Sequence, residues 1–196
     1  YGATKLASDK LFVAANNLVG KKKTRFAVVR YGNVFASRGS VVPYFKNLIK
    51  KGVKKLPITD LEMTRFVITI EQGIELVIKS FLRIHGGEIF VPKTSSIKII
   101  DLIEAMLKER KFKVIGIRPG EKLHEVLCPS DDSHLTYDFK DHYVIAPAIK
   151  FFSSKNQFNK NNLKERGKLV KKGFEYSSGK NNKFLNIKAI KKLLSR

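Results

Sequence analysis

Apolar residues at the start of the chain recur at helical spacing. Leu6, Leu11, Phe12, Ala15, Leu18 and Val19 form a stripe along "ATKLASDKLFVAANNLV", and Gly20 closes the segment. "RFAVVRYGNVF" then runs apolar and β-branched without alternation, which predicts a strand buried on both faces of a parallel sheet. "SRGS" leads into a helix near Pro43 that stops by Gly52, and "LPITDLEMTRFVIT" predicts short extended segments around a turn at Asp60. Thr69 is placed to cap a helix over "IEQGIELVIKSFLRI", which "HGG" ends. "EIFVP" predicts a strand, "SIKIIDLIEAMLKER" an amphipathic helix capped by Ser95 or Ser96, and "KFKVIGIRPGEK" a strand entering a Pro-Gly loop. From Lys122 to Ile149 the elements shorten, with "DHYVIAP" the clearest strand. Beyond Phe152 only weak helices near 159–166 and 186–195 are expected.

Helices alternating with short apolar strands make this an α/β chain. A doubly wound nucleotide-binding sheet opens with strand, glycine-rich turn and helix, so that phosphates meet a helix N-terminus. Neither G-x-G-x-x-G nor G-x-x-G-x-x-G occurs in the 196 residues. The expectation is therefore the C-terminal part of a Rossmann-like doubly wound parallel sheet plus a smaller α/β substrate-binding domain, the N-terminal nucleotide-binding half lying before residue 1. Residues 1–92 are read as the remaining Rossmann-type portion, interleaved with substrate-binding segments. Residues 93–150 are read as mainly substrate-binding domain, and 151–196 as a basic, Lys/Asn-rich extension.

Charge alters the list of partners. The chain carries 39 Lys and Arg against 17 Asp and Glu, a net +22, and residues 150–196 hold 14 basic and 2 acidic residues. Such a chain attracts anions: nucleic acid, a nucleotide-sugar or a dinucleotide phosphate. A nucleic-acid module would concentrate base-reading or stacking residues on one element, whereas here the basic residues scatter and the aromatics sit in apolar runs, so nucleic acid is not expected. Cys128 is the single cysteine, which excludes an internal disulfide framework, and with no activating neighbour in sequence it is read as structural. No apolar run approaches the ~20 residues of a membrane span. His124-Glu125 lacks the second His of a zinc-protease helix, and His85, His134 and His142 have no partners at ligand spacing, so no metal is expected.

Several positions carry candidate chemistry. Tyr1 and Lys5, four apart, share one helix face, and a cation beside a phenol lowers its pKa from ~10, the arrangement a proton-transfer pair needs. Asn33 ends a strand on the side where α/β sheets bind ligands. Arg38, Gly39 and Ser40 offer backbone N–H groups to an anion, and Arg65 and Arg118 offer planar forks suited to a diphosphate. In order, "YGATK", "RYGNV", "SRGSVVPYF", "PITDLEMTRF" and "GIRPGEKLHEVL" together resemble the inverting UDP-N-acetylglucosamine 4,6-dehydratases of the extended short-chain dehydrogenase/reductase superfamily, which open pseudaminic acid biosynthesis. The likeness runs from Tyr1 to about Ile149 and more weakly into "GFEYSSGKNN".

The resemblance implies an internal redox cycle. NADP⁺ takes hydride from C4 of the sugar, water leaves across C5 and C6, and hydride returns to C6 with inversion at C5. It further implies that Tyr1 removes the C4 hydroxyl proton, that Lys5 binds the nicotinamide ribose and holds Tyr1 near its ionised form, and that Val34 lies near the cofactor. Asn33 and Val42 would contact the sugar nucleotide, Arg65 and Arg118 the UDP portion, and Glu121 a ribose hydroxyl. The family's Asp-Lys elimination pair falls before residue 1, so these residues alone are expected to be inactive. A cytoplasmic homo-oligomer acting on UDP-N-acetylglucosamine, with no nucleic-acid or membrane partner, completes the expectation. The alternatives are a 4-epimerase, a retaining dehydratase or a membrane-bound relative of the same superfamily, and, from the charge, a basic nucleic-acid-binding module.

Overall fold

The computed structural model describes residues 2–20, 22–107, 112–149 and 157–195. In chain order the elements are α1 (Gly2–Ala15), β1 (Val28–Val29), β2 (Asn33–Val34), α2 (Val41–Lys50), β3 (Leu56–Ile58), β4 (Thr64–Ile68), α3 (Ile70–Arg83) and β5 (Ile89–Pro92). There follow β6 (Ser95–Lys98), α4 (Ile99–Leu107), β7 (Phe112–Val114), β8 (Val126–Cys128), a 3-10 turn (Ser130–Leu135) and β9 (Thr136–Asp138). β10 (His142–Ile145), β11 (Lys168–Leu169), β12 (Tyr176–Ser177) and α5 (Ile187–Leu194) complete the series. The chain forms two compact units, each assembled from three segments: 1–31, 74–93 and 127–175 in the first, 32–73, 94–126 and 176–196 in the second. Residues 157–175 fall in the first unit and 176–195 in the second.

In the first unit a five-stranded sheet has the order β1-β5-β10-β9-β11. β1 runs parallel to β5, with Val28 opposite Ile89, and the remaining pairs are antiparallel. All four residues of β5 are buried, as its unbroken apolar run predicts for a strand flanked on both sides. Phe90, Phe139 and Val144 form the local core, with Ala27 and Tyr137 against them. α1 stops at Ala15, short of the expected Val19. There the Asn16 amide donates to the carbonyls of Val13 (3.0 Å) and Phe26 (2.9 Å) and accepts the Phe26 N–H (3.0 Å), turning the chain back. The predicted apolar stripe is not this unit's core: Leu6, Leu11 and Phe12 are more than half exposed and Leu18 is 88% exposed.

Arg30 holds α1 to β1, donating to Asp9 at 2.8 and 3.0 Å and to the Leu127 carbonyl at 2.9 Å. Arg83, almost fully buried, lies between Asp141 (3.1 Å) and Glu165 (2.7 Å). Beside it His142 stacks on Phe139 with its Nδ1 2.6 Å from Asp141. Burial pushes the His142 imidazole below its usual pKa against the pull of Asp141. Burial alone would raise Asp141, but hydrogen bonds from His142 and Arg83 bring it down to about 2. Cys128 is buried, which pushes its thiol up to about 12 and keeps it protonated and inert. The helix expected near 159–166 is instead a bend: Lys164 has φ 64°, and Asn161 Oδ1 accepts the Glu165 N–H at 3.0 Å.

The second unit contains a β2-β4-β6 sheet, β2 parallel and β6 antiparallel to β4, and a parallel β3-β7 pair. Its core comprises Val42, Phe45, Leu56, Ile58, Met63, Val67, Ile97, Ile99, Leu102, Ile103 and Ile190. The run "RFAVVRYGNVF" is two short, partly buried strands in different sheets rather than one buried strand. Ser95 and Ser96 belong to β6 and cap nothing; α4 starts only at Ile99. Thr69 does cap α3: its Oγ1 accepts the Gln72 N–H (3.3 Å) while Gln72 Oε1 accepts the Thr69 N–H (2.9 Å), a reciprocal capping box. The end of the chain is integral to this unit. Ser96 N–H donates to Lys183 O (2.8 Å), Leu185 N–H donates to Ser96 O (2.9 Å), and α5, capped by Asn186, packs on α4 with Ile190 fully buried.

Candidate functional site

The second unit holds a cavity of about 490 Å³, a size that suits a small organic ligand. Its entry wall is set by the chain leaving β2. Asn33 and Val34 end that strand, Ala36 adopts a left-handed φ of 57°, and Gly39 (φ 79°) brings Ser40 to the N-cap of α2. A non-glycine residue in that region costs about 1 kcal/mol, and Ala36 lines the cavity itself. Val42 and Phe45, buried on the first turns of α2, form part of the floor with Met63, Ile97 and Ile99.

Asn33 has its place through Gly32. A Cβ at position 32 would stand 2.4 Å from the Phe66 Cβ and 2.8 Å from the Phe66 carbonyl oxygen, so only glycine lets β2 approach β4 this closely. The register puts Asn33 opposite Val67, two residues from Arg65.

The polar wall comes from β4 and from a turn. Arg118-Pro119-Gly120-Glu121 closes with the Glu121 N–H on the Arg118 carbonyl at 3.0 Å and Gly120 at φ 78°, the pattern of a type II turn. This sets Arg118 and Glu121 side by side, and the Arg118 N–H also donates to Glu121 Oε2 at 3.3 Å. Thr59 reaches Glu121 Oε1 at 3.4 Å. The Arg65 side chain is only 15% exposed. Its Nη1 donates to the carbonyls of Thr64 (2.7 Å) and Leu123 (3.1 Å). Its Nη2 stands 3.7 Å from Glu121 and its Nε 3.9 Å from Glu125, beyond hydrogen-bond reach. One edge of the guanidinium is thus anchored while the other keeps donors for a ligand anion.

The structure therefore brings Asn33, Val34, Val42, Arg65, Arg118 and Glu121 into one cavity wall. Arg38 is exposed and does not line it, whereas Gly39 and Ser40 do. Lys5 is exposed on α1 in the first unit, and Tyr1 lies outside the described residues. Glu125, weighed in the sequence only as half of a metal pair, proves to be the carboxylate behind Arg65. Burial raises its pKa, opposed by the Phe66 N–H, Arg65, Asn33 and Lys122. His124, the other half, is occupied by Thr64, whose Oγ1 lies 2.8 Å from its Nδ1. Among the described residues no group of three or more His, Cys, Asp or Glu could hold a metal ion, and no helix is long and apolar enough to cross a membrane.

Comparison with known proteins decides the family. The model of the polysaccharide biosynthesis protein family matches residues 1–147. The chain belongs to that family. Within reach of this polysaccharide biosynthesis family member are two curated relatives, both named UDP-N-acetylglucosamine 4,6-dehydratase (inverting). The protein from Campylobacter jejuni subsp. jejuni serotype O:2 is 61% identical over 92% of this chain and 54% of its own length. That of serotype O:23/36 is 57% identical over 97% of this chain and 57% of its own. The chain thus spans about half the length of the curated relatives it matches. Among solved structures, Pen from Bacillus thuringiensis superposes over the whole chain and 57% of its own length, with a TM-score of 0.82 at 34% identity. The α/β fold expected from the sequence, with parallel strand pairs, is the fold of this family member.

Proposed function

We propose that this chain forms the sugar-nucleotide-binding part of an NADP-dependent, inverting UDP-N-acetylglucosamine 4,6-dehydratase. The observation that carries the reading is the convergence of Asn33, Val42, Arg65, Arg118 and Glu121 on one cavity of a size that fits a nucleotide-sugar. The identity to the two Campylobacter jejuni dehydratases supports the same substrate. In this reading Arg65 and Arg118 meet the diphosphate, whose charge calls for planar donors with a fixed fork. Glu121, held beside Arg118 by the turn, accepts a ribose hydroxyl, and Asn33 faces the sugar. Val42, with Phe45 and Ile97 beneath, supplies an apolar floor that excludes water.

The cofactor is a separate matter of fit. Val34 lines the cavity, but among the described residues no glycine-rich turn between a strand and a helix forms a dinucleotide cradle. A base at Tyr1 and a partner at Lys5 belong to the same proposal, as do a homo-oligomeric, cytoplasmic enzyme and a role in pseudaminic acid synthesis for flagellin glycosylation.

The test is direct. Full-length protein incubated with UDP-N-acetylglucosamine and NADP⁺ is expected to release a UDP-4-keto-6-deoxy-hexosamine with inverted C5, identified by NMR. Recovery of the 4-epimer without any 4-keto product would overturn the dehydratase in favour of an epimerase. Tight, sequence-tolerant DNA binding without nucleotide-sugar binding would overturn the enzyme reading altogether.

A further inference from the structure

The last segment of the second unit reaches the Arg65 wall from behind. Ser178, fully buried just after β12, does not line the cavity. Its hydroxyl accepts the Glu125 N–H at 2.9 Å, stands 2.7 Å from Thr64 Oγ1 and lies 3.2 Å from the Thr64 carbonyl oxygen. A serine hydroxyl has one proton and two acceptor sites. All three contacts are hydrogen bonds only when that proton goes to the Thr64 carbonyl and the Thr64 hydroxyl donates to Ser178 Oγ. Thr64 Oγ1 then accepts from His124 Nδ1, 2.8 Å away. The Ser178 N–H also donates to the Glu125 carbonyl at 2.8 Å. Gly179 follows against the His124 ring, where a Cβ would stand 2.6 Å from the imidazole Cγ, so the chain comes this close only without a side chain.

These contacts converge on the two carbonyls that hold Arg65. Its Nη1 donates to the Thr64 carbonyl at 2.7 Å and to the Leu123 carbonyl at 3.1 Å, and the Thr64 N–H donates to the same Leu123 carbonyl at 3.1 Å. Ser178 binds the first carbonyl directly and, through both backbone groups of Glu125, fixes the segment that carries the second. We propose that Ser178 is a positioning residue for Arg65: it locks the two carbonyls on which Nη1 rests and so aims the free edge of the fork at the diphosphate of a bound nucleotide-sugar. A fork free to swing would lose the fixed geometry that suits arginine to such a group. The inference rests on the sugar-nucleotide reading above. It adds that the segment around Ser178, taken in the sequence as part of a basic extension, belongs to the phosphate-binding apparatus through its hydrogen bonds and not its charge.

Titration of full-length protein with UDP and with uridine tests this, because only UDP carries the phosphates that Arg65 would meet. In Ser178→Ala, affinity for UDP is expected to fall roughly tenfold, the scale of one hydrogen bond to a charged group, while affinity for uridine stays within about twofold of wild type. Ile190→Ala loosens the same unit at a buried core position that does not line the cavity. It should lower the melting temperature and leave the ratio of the two affinities unchanged; a ratio that falls equally in both variants would reduce the effect to general stability and overturn the role. In an Arg65→Ala background no fork remains to aim, so adding Ser178→Ala should cost less than about twofold more for UDP. Should Ser178→Ala fail to fold, Ser178→Cys, close in size but a weak hydrogen-bonding group, carries the same expectations. Wild-type affinity for UDP, an equal loss for uridine, or a fully additive loss in the double variant would each overturn the proposal. If wild-type protein binds neither UDP-N-acetylglucosamine nor UDP, the functional reading itself fails and takes this inference with it; if only the variants disobey, the functional reading stands and the positioning role alone is lost.

Discussion

Gly32→Ala is expected to damage fold and site together. The added methyl would sit 2.4 Å from the Phe66 Cβ, 2.8 Å from its carbonyl oxygen and 3.0 Å from its carbonyl carbon. None of these atoms can rotate aside. Ordinary contact begins at 3.4 Å, so the β2–β4 pair must open by about 1 Å at this point. Overpacking of this kind costs about 1–3 kcal/mol. Opening also strains the Phe35 N–H bond to the Ile68 carbonyl, now 2.8 Å, which adds ~1 kcal/mol if it is lost. A total near 3 kcal/mol should appear in urea unfolding of the full-length protein. Affinity for UDP-N-acetylglucosamine should drop roughly tenfold or more, because Asn33 moves with its strand. Gly73→Ala is the matched control. That glycine lies in α3, and outside the helix's own backbone a Cβ there meets nothing within 4 Å, so the variant should gain ~1 kcal/mol from helix propensity alone. Should Gly32→Ala unfold within ~0.5 kcal/mol of wild type and bind normally, the close approach would not be what places Asn33.

Ile190→Ala, at a fully buried position in α5, should lose about 2–5 kcal/mol by denaturant titration; a loss below ~0.5 kcal/mol would mean that α5 is not part of the second unit's core. Acidification should weaken the first unit. Because the His142 pKa is depressed in the fold, the unfolded chain takes up its proton first, and stability should decline as pH drops below ~6.5. Asp141, depressed to about 2, acts in the same direction at lower pH, its contribution being lost as pH falls from ~3.9 toward that value. His142→Phe should flatten the pH dependence of the melting temperature between pH 7 and 5, and an unchanged slope would remove His142 as its source.

Local chemistry was the part most legible in the sequence. The Thr69 and Gln72 capping box, the Asp60 turn, in which the aspartate oxygen accepts the Glu62 N–H at 2.7 Å, and the Pro-Gly turn beside Arg118 each lie within four residues. Pattern alone reads such short-range devices. The break in "RFAVVRYGNVF" was illegible because Gly32 yields to Phe66, far along the chain, and nothing in the run itself announces the contact. Asn16 likewise ends α1 by reaching Phe26, so spacing overran the helix by four positions. The terminal Lys/Asn bias hid structural work by Asn161, Asn181 and Asn186, whose amides hold turns and a cap. In the cavity, the motifs that suggested Asn33, Val42, Arg65, Arg118 and Glu121 also meet in space. Glu125 escaped notice because its place behind Arg65 and on the Phe66 N–H exists only once the chain has folded.

The interleaving of the two units sets a timetable for synthesis. Every described residue that lines the cavity has been made once Glu121 leaves the ribosome, yet the second unit still lacks its last segment. α4 has no α5 to pack against, and Ser96 has no Lys183 carbonyl for its N–H. Domains that fold as contiguous blocks can close while translation continues. Here the polypeptide must carry a complete but unsupported binding wall through all of 127–175, the first unit's final segment, before residues 176–195 arrive to brace the second.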